Sequence, residues 1–149
     1  MTARSPVSAY CGLYCGSCRT YLETADGGAL PTDAGPVTCR GCRSDVNPPW
    51  CAECVLKACA RRKGVDFCDL CGEFPCADFV AFRDDPRYPY HTEAPEHLRT
   101  IAELGERAWL ALMEARWRCT ACGQARAWFD RECERCGGSL PGFTRPAGA

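Results

Sequence analysis

The stretch Trp117–Gly138, "WRCTACGQARAWFDRECERCGG", carries two C-x2-C-G units, with ten residues between Cys122 and Cys133. In each unit the glycine takes up a tight backbone turn, which lets backbone N–H groups point at the thiolates. Two such knuckles facing each other supply four sulfurs in a tetrahedron, here Cys119, Cys122, Cys133 and Cys136. Between them "ARAWF" alternates as a short strand does, so the spacing predicts a zinc-ribbon hairpin over residues 119–140.

Working outward, the composition explains why such a chain would use metal. Leu, Ile, Val and Phe together number 23 of 149 residues, and the 46% hydrophobic content includes 15 Cys. So few large apolar side chains leave a core in need of another source of cohesion. The cysteine count is odd, most cysteines fall in C-x-x-C pairs, and "MTARSPVSAYCG" has no apolar run of a secretory leader. These features predict a reduced, cytoplasmic metalloprotein rather than a disulfide scaffold. No stretch reaches the roughly 18 apolar residues of a membrane span. A formal net charge of −1 gives no global argument for nucleic acid or membrane.

Upstream of the ribbon lies a cysteine-free stretch, Ala77 to Arg118. Within it Leu98, Ile101, Leu104, Ala108, Leu112 and Ala115 recur at three- and four-residue steps. This period predicts one long amphipathic helix within residues 91–118, with Pro95 in its first turn and Gly105 inside it. Residues 10–90 form a Cys-rich lobe, interrupted by the loop-like "ETADGGALPTDAGPVT" from Glu23 to Thr38. Short helices are expected from Cys54 to the stop at Gly64, and between Pro75 and Pro86. "CAECVLKACA" and "CDLCGEFPCA" share C-x2-C-x4-C-A, a local duplication. Residues 1–9 read as a flexible arm and 141–149 as a flexible tail. The expected fold is therefore a small metal-stabilised α+β structure: an irregular lobe with short helices, one long helix and a ribbon hairpin.

Eleven cysteines remain for the lobe. The simplest allocation joins neighbouring pairs, placing Cys15, Cys18, Cys39 and Cys42 in one site and Cys51, Cys54, Cys68 and Cys71 in another. Cys11, Cys59 and Cys76 are left over, free to replace a pair member or to enter a third site completed by a histidine. His91 and His97 are read as solvent-facing. About three or four zinc ions would satisfy all 15 cysteines. "CGLYCGSC", Cys11 to Cys18, also has spacing compatible with an iron–sulfur cluster, and the Cys11–Cys76 lobe keeps that alternative open. Radical chemistry on such a cluster needs a barrel of roughly 200 residues or more, which the chain lacks.

The ordered series "CGLYCGSCRTY", "CRGC", "CAECVLKACARRKGVDFC", "CDLCGEFPC" and "RWRCTACG…CERCGG" resembles the Cys-rich prokaryotic family catalogued as domain of unknown function 3795. The resemblance spans roughly Tyr10 to Gly138. It implies a small prokaryotic cytosolic protein with bound metal, and it brings no activity.

Three functions are compatible with these residues. The first is a non-enzymatic zinc protein that serves as an interaction or regulatory module, because four-ligand structural sites are closed to substrate and no catalytic constellation is evident. The second is an iron–sulfur or redox protein. The third is a nucleic-acid-binding ribbon, using Arg116, Arg118, Arg126, Arg131 and Arg135 with Trp117, Trp128 and Phe129 for stacking. Asp130, Glu132 and Glu134 interrupt that basic patch, so a protein partner is favoured over nucleic acid. The identity of the partner and the oligomeric state stay open.

Overall fold

The "VLKACARRK" segment coils from Val55 to Lys63, where Gly64 takes φ of 69° and ends it in the left-handed region. Its basic last turn, Arg61 to Lys63, suits the negative end of the helix dipole. The structure, a computed structural model, describes residues 3–144. Among them the helices are α1 (Arg19–Thr24), α2 (Pro49–Ala52), α3 (Val55–Lys63), α4 (Ala77–Arg83), α5 (Ala94–Leu104) and α6 (Glu106–Arg116). Short 3-10 turns occupy Cys15–Ser17, Cys68–Leu70 and Pro89–Glu93.

The single long helix expected within 91–118 is in fact two. Gly105 adopts φ of 89° and ψ of 158°, which no right-handed helix accommodates, and α6 packs back against α5. The break also changes which face is buried. On α5 Ala94, His97, Leu98 and Ile101 point inward, as the period requires. On α6 the inward residues are Trp109 and Met113, while Leu104 and Leu112 are 58% and 50% exposed. A sequence period cannot carry its phase across a residue that reorients the chain.

The expected ribbon hairpin, and with it the β part of the α+β fold, is not formed. Among the described residues there is no strand, only isolated antiparallel bridges. Two of these, Arg118 with Ala125 and Glu132 with Ser139, each close across one knuckle. The segment between the knuckles spends its hydrogen bonds elsewhere. Trp128 N–H donates to Ser17 O at 3.1 Å, and Phe143 N–H donates to Trp128 O at 2.6 Å. Backbone groups tied to the lobe and to the tail cannot also ladder with a neighbouring strand.

Aromatic side chains supply most of the core. Trp109, Tyr90 and Phe79 are at most 1% exposed and join Leu13, Tyr14, Leu56, Phe67, Leu98, Ile101, Met113 and Trp117 in one cluster. Each aromatic buries roughly 150–250 Å², so a few of them compensate for the scarcity of Leu and Ile. A second, small cluster holds Cys119, Cys133 and Leu140.

Part of the expected arm belongs to this fold. Ser8 and Ala9 are buried, Ala9 N–H donates to Leu13 O at 3.1 Å, and Cys15 N–H donates to Val7 O at 2.8 Å. Part of the expected tail does too, since Phe143 meets the Tyr90 ring edge-on at 5.2 Å. Met1, Thr2 and residues 145–149, the ends of that arm and tail, lie outside the described residues.

The Glu23–Thr38 loop is exposed for most of its length, but its ends are pinned. The buried Thr24 hydroxyl donates to Thr20 O at 2.7 Å and accepts the Cys39 N–H at 2.7 Å. Gly12, at φ of 93°, lets the "CGLYC" turn touch α5, where a Cβ would sit 2.8 Å from Ala94 O and 2.9 Å from Leu98 Cγ.

Candidate metal centre

The two knuckles bring Cys119, Cys122, Cys133 and Cys136 together, with all four sulfurs within 4.8 Å of one another. Cys119 and Cys136 stand 3.7 Å apart, and Cys122 and Cys133 3.6 Å apart. A tetrahedral ion with bonds of about 2.3 Å places its sulfurs roughly 3.8 Å apart, so the cluster fits a four-thiolate metal ion. Disulfide bonding is ruled out by the same distances, and all 15 cysteines are free thiols.

The backbone around these sulfurs favours negative charge. N–H groups of Cys122 and Ala121 hold the Cys119 thiol down at about 6. At Cys136 the Gly138 N–H, 3.4 Å away, favours the thiolate, yet hydrogen bonding with Cys119 and Cys133 pushes that thiol up to about 11. Four sulfurs this close crowd negative charge as they ionise, and a divalent cation among them would neutralise it. Among the described residues no other set of three potential ligands converges this closely.

In the lobe, the cysteine positions follow from the helices and turns that carry them. Cys15 and Cys18 flank a 3-10 turn, as do Cys68 and Cys71, while Cys54 and Cys76 cap the N-termini of α3 and α4. The ordered run of these positions is what a family comparison reads. Residues 7–81, half of the chain, match the family described as Protein of unknown function (DUF3795). The chain belongs to the DUF3795 family. The match ends before α5, so α5, α6 and the four-thiol cluster lie beyond the DUF3795 segment. Neither a curated protein nor a solved structure matches the chain.

Within the DUF3795 lobe Cys15 hydrogen-bonds Cys42. That bond draws the Cys42 thiol down to about 6, against burial, with help from the Tyr10 backbone N–H, Lys57 and Arg43. The same bond, with burial, raises Cys15. Cys51 lies beside Cys18 and Cys39: burial first, then those two thiols, push it up to about 12. Cys11 is buried near Cys42, Cys54 and Cys68. Cys59, Cys68, Cys71 and Cys76 line one small cavity. The Cys15–Cys42 bond and the closeness of Cys18 to Cys39 fall within the first set of the simplest allocation, and Cys54 is near Cys68 as in its second, whereas Cys51 lies beside the first set.

Neither histidine faces solvent as expected. His91 is half-buried, stacked on Phe82 at 3.9 Å, with Nδ1 against Phe82 O at 3.0 Å. His97 is 3% exposed and serves as a brace: Nδ1 lies 2.8 Å from Gly12 O and Nε2 lies 3.1 Å from Glu93 Oε2. Arg116 grips both Glu93 oxygens at 2.6 and 2.8 Å. This Glu93–His97–Arg116 set escaped the sequence reading. Its one local signal was the Glu–His spacing of four across the start of α5, since the Arg116 and Gly12 partners come from elsewhere in the chain.

Of the aromatics proposed for base stacking, Trp117 is buried and Trp128 is stacked on Tyr90, leaving Phe129 half-exposed. Arg116 is engaged by Glu93, and Arg126 is buried over the Trp117 ring at 4.8 Å. Trp117, Trp128, Arg116 and Arg126 are thus engaged within the fold, while Phe129, Arg118, Arg131 and Arg135 stay exposed.

Proposed function

We propose that this protein binds zinc through Cys119, Cys122, Cys133 and Cys136 and through the cysteines of its DUF3795 lobe, and that it acts in the cytoplasm as a non-enzymatic interaction or regulatory module. The observation that carries this reading is the convergence of four sulfurs at tetrahedral spacing. Four protein thiolates fill a zinc ion's coordination and leave no position for substrate, which is the pattern of a structural site. A protein partner is favoured because the ribbon's aromatics and two of its arginines are occupied inside the fold. No helix among the described residues is long and apolar enough to cross a membrane.

Anaerobic purification without added metal, followed by metal and acid-labile sulfide analysis, tests the zinc assignment. Near-integral zinc in a colourless, sulfide-free protein is expected. Iron with sulfide would replace the zinc reading of the lobe by the iron–sulfur alternative, since thiolates accept either.

A further inference from the structure

We infer that Cys59, Cys68, Cys71 and Cys76 form a metal site of their own in the lobe, for a thiophilic divalent cation such as zinc. The proposal rests on the zinc-protein reading above and assigns ligands that neighbouring-pair arithmetic distributes otherwise.

The four side chains line a single cavity of about 30 Å³, walled on its apolar side by Leu56 and Phe74. They reach it from separate pieces of backbone. Cys59 comes from α3, Cys68 and Cys71 bracket the 3-10 turn, and Cys76 sits at the N-cap of α4. Such a cavity is small enough for one ion, whereas a bulky organic ligand has no room there.

One of the four already has the surroundings of a bound thiolate. Cys71 Sγ accepts the Lys63 ammonium at 3.2 Å and the Glu73 N–H at 3.5 Å. The second contact repeats the ribbon's own geometry, in which Gly138 N–H reaches Cys136 Sγ from two residues on at 3.4 Å. Lys63 is also ion-paired to Glu73, whose carboxylate lies 4.0 Å from Cys71 Sγ, so its ammonium is shared between the carboxylate and the thiolate. No three of these sulfurs lie within 4.8 Å of one another, so binding draws them inward from their positions around the cavity.

The grouping redistributes the ligands: Cys59 and Cys76, surplus to the pairs, enter this set, while Cys51 and Cys54 leave it and stay with Cys11, Cys15, Cys18, Cys39 and Cys42. The second C-x2-C-x4-C unit gives all three of its cysteines, and the first gives only its last. Cys51 is instead placed beside Cys18 and Cys39.

Native mass spectrometry of the zinc-loaded full chain provides the test. Cys59→Ser and Cys76→Ser should each lose one zinc, and the double variant should lose that same single ion. Cys51→Ser combined with Cys76→Ser should lose two. Retention of every zinc by Cys59→Ser and Cys76→Ser, or loss of one shared ion by Cys51→Ser and Cys68→Ser, would overturn the grouping.

A measurement on the unmutated chain guards against variants that do not fold. During stepwise zinc removal by a chelator, with N-ethylmaleimide trapping and peptide mapping, Cys59, Cys68, Cys71 and Cys76 should become labelled in one step. Labelling of Cys68 and Cys71 together with Cys51 and Cys54 would overturn the proposal. Cys133→Ser reports separately on the ribbon: retention of its zinc would sink the ribbon assignment without touching the lobe site. Iron and sulfide in the lobe would remove the zinc reading, and labelling of the four in a single step on cluster loss would still uphold the grouping.

Discussion

Trp128 stacks on Tyr90 with ring centroids 4.2 Å apart and 24° between their planes. Trp128 comes from the segment between the knuckles, and Tyr90 precedes α5 in the wholly buried aromatic core. Trp117 and Phe143 meet the same Tyr90 ring edge-on, at 5.5 and 5.2 Å. Arg19 adds ion pairs to Asp130 and Glu134 across this boundary. The four-thiol cluster thus takes no ligand from the lobe, yet the segment that carries it docks firmly on the rest of the fold.

Replacing Trp128 by Ala should lower stability by about 3 kcal/mol, the loss expected for a large aromatic truncated in a packed site. Metal content should not change, because no thiol is touched. Urea denaturation at fixed zinc, alongside metal analysis, checks both halves of the expectation.

Cys133→Ser should release one metal equivalent and no more. Losing one of four thiolates opens the four-thiol site, and no other cysteine among the described residues is near enough to substitute. Loss of two or more equivalents in native mass spectra would show that metal bound elsewhere in the chain depends on closure of this cluster.

Removal of all metal should abolish the cooperative thermal transition. Binding of a structural zinc is worth on the order of 10 kcal/mol, comparable with the entire stability of a small domain. Calorimetry before and after verified chelation tests this, and an unchanged transition would refute a folding role for metal.

Gly12→Ala should destabilise the protein by about 2 kcal/mol or more, since φ of 93° is strained for a side chain and the new methyl meets Ala94 O and Leu98. Gly64→Ala is a useful comparison. It too has positive φ, but open space surrounds it, so its loss should be smaller in the same denaturation assay.

Glu93→Gln should lower stability by about 2 kcal/mol at pH 7, because it weakens charge-assisted bonds to His97 and Arg116. Burial opposes ionisation of Glu93, but those two partners outweigh it and hold the carboxyl down at about 2, below its ordinary 4.5. A depressed folded-state value stabilises above the unfolded one and fades as pH falls through the folded one. The gap between the two proteins should therefore not close between pH 7 and pH 5, and should narrow only in more acid solution. A gap that closes already between pH 7 and 5 would contradict the bonding seen at Glu93.

Local chemistry along the chain was enough to locate the four clustered thiols Cys119, Cys122, Cys133 and Cys136, α3 with its Gly64 stop, and α4 between its prolines. Each depends on residues within about 18 positions, so spacing and turn preference suffice. Tertiary structure alone decided the rest. Gly105 split the expected helix, because a glycine inside a periodic run is silent about whether it will take positive φ. Trp117 and Trp128 became core and not a stacking platform, because their partners Tyr90 and Phe143 are distant in sequence. Where α3, α4 and the 3-10 turns place Cys59, Cys68, Cys71 and Cys76 around one cavity is likewise a matter of packing, which identical C-x2-C pairs cannot encode. A thiol's identity is fixed by the sequence, and its neighbours are fixed by the packing of the backbone segments that carry it.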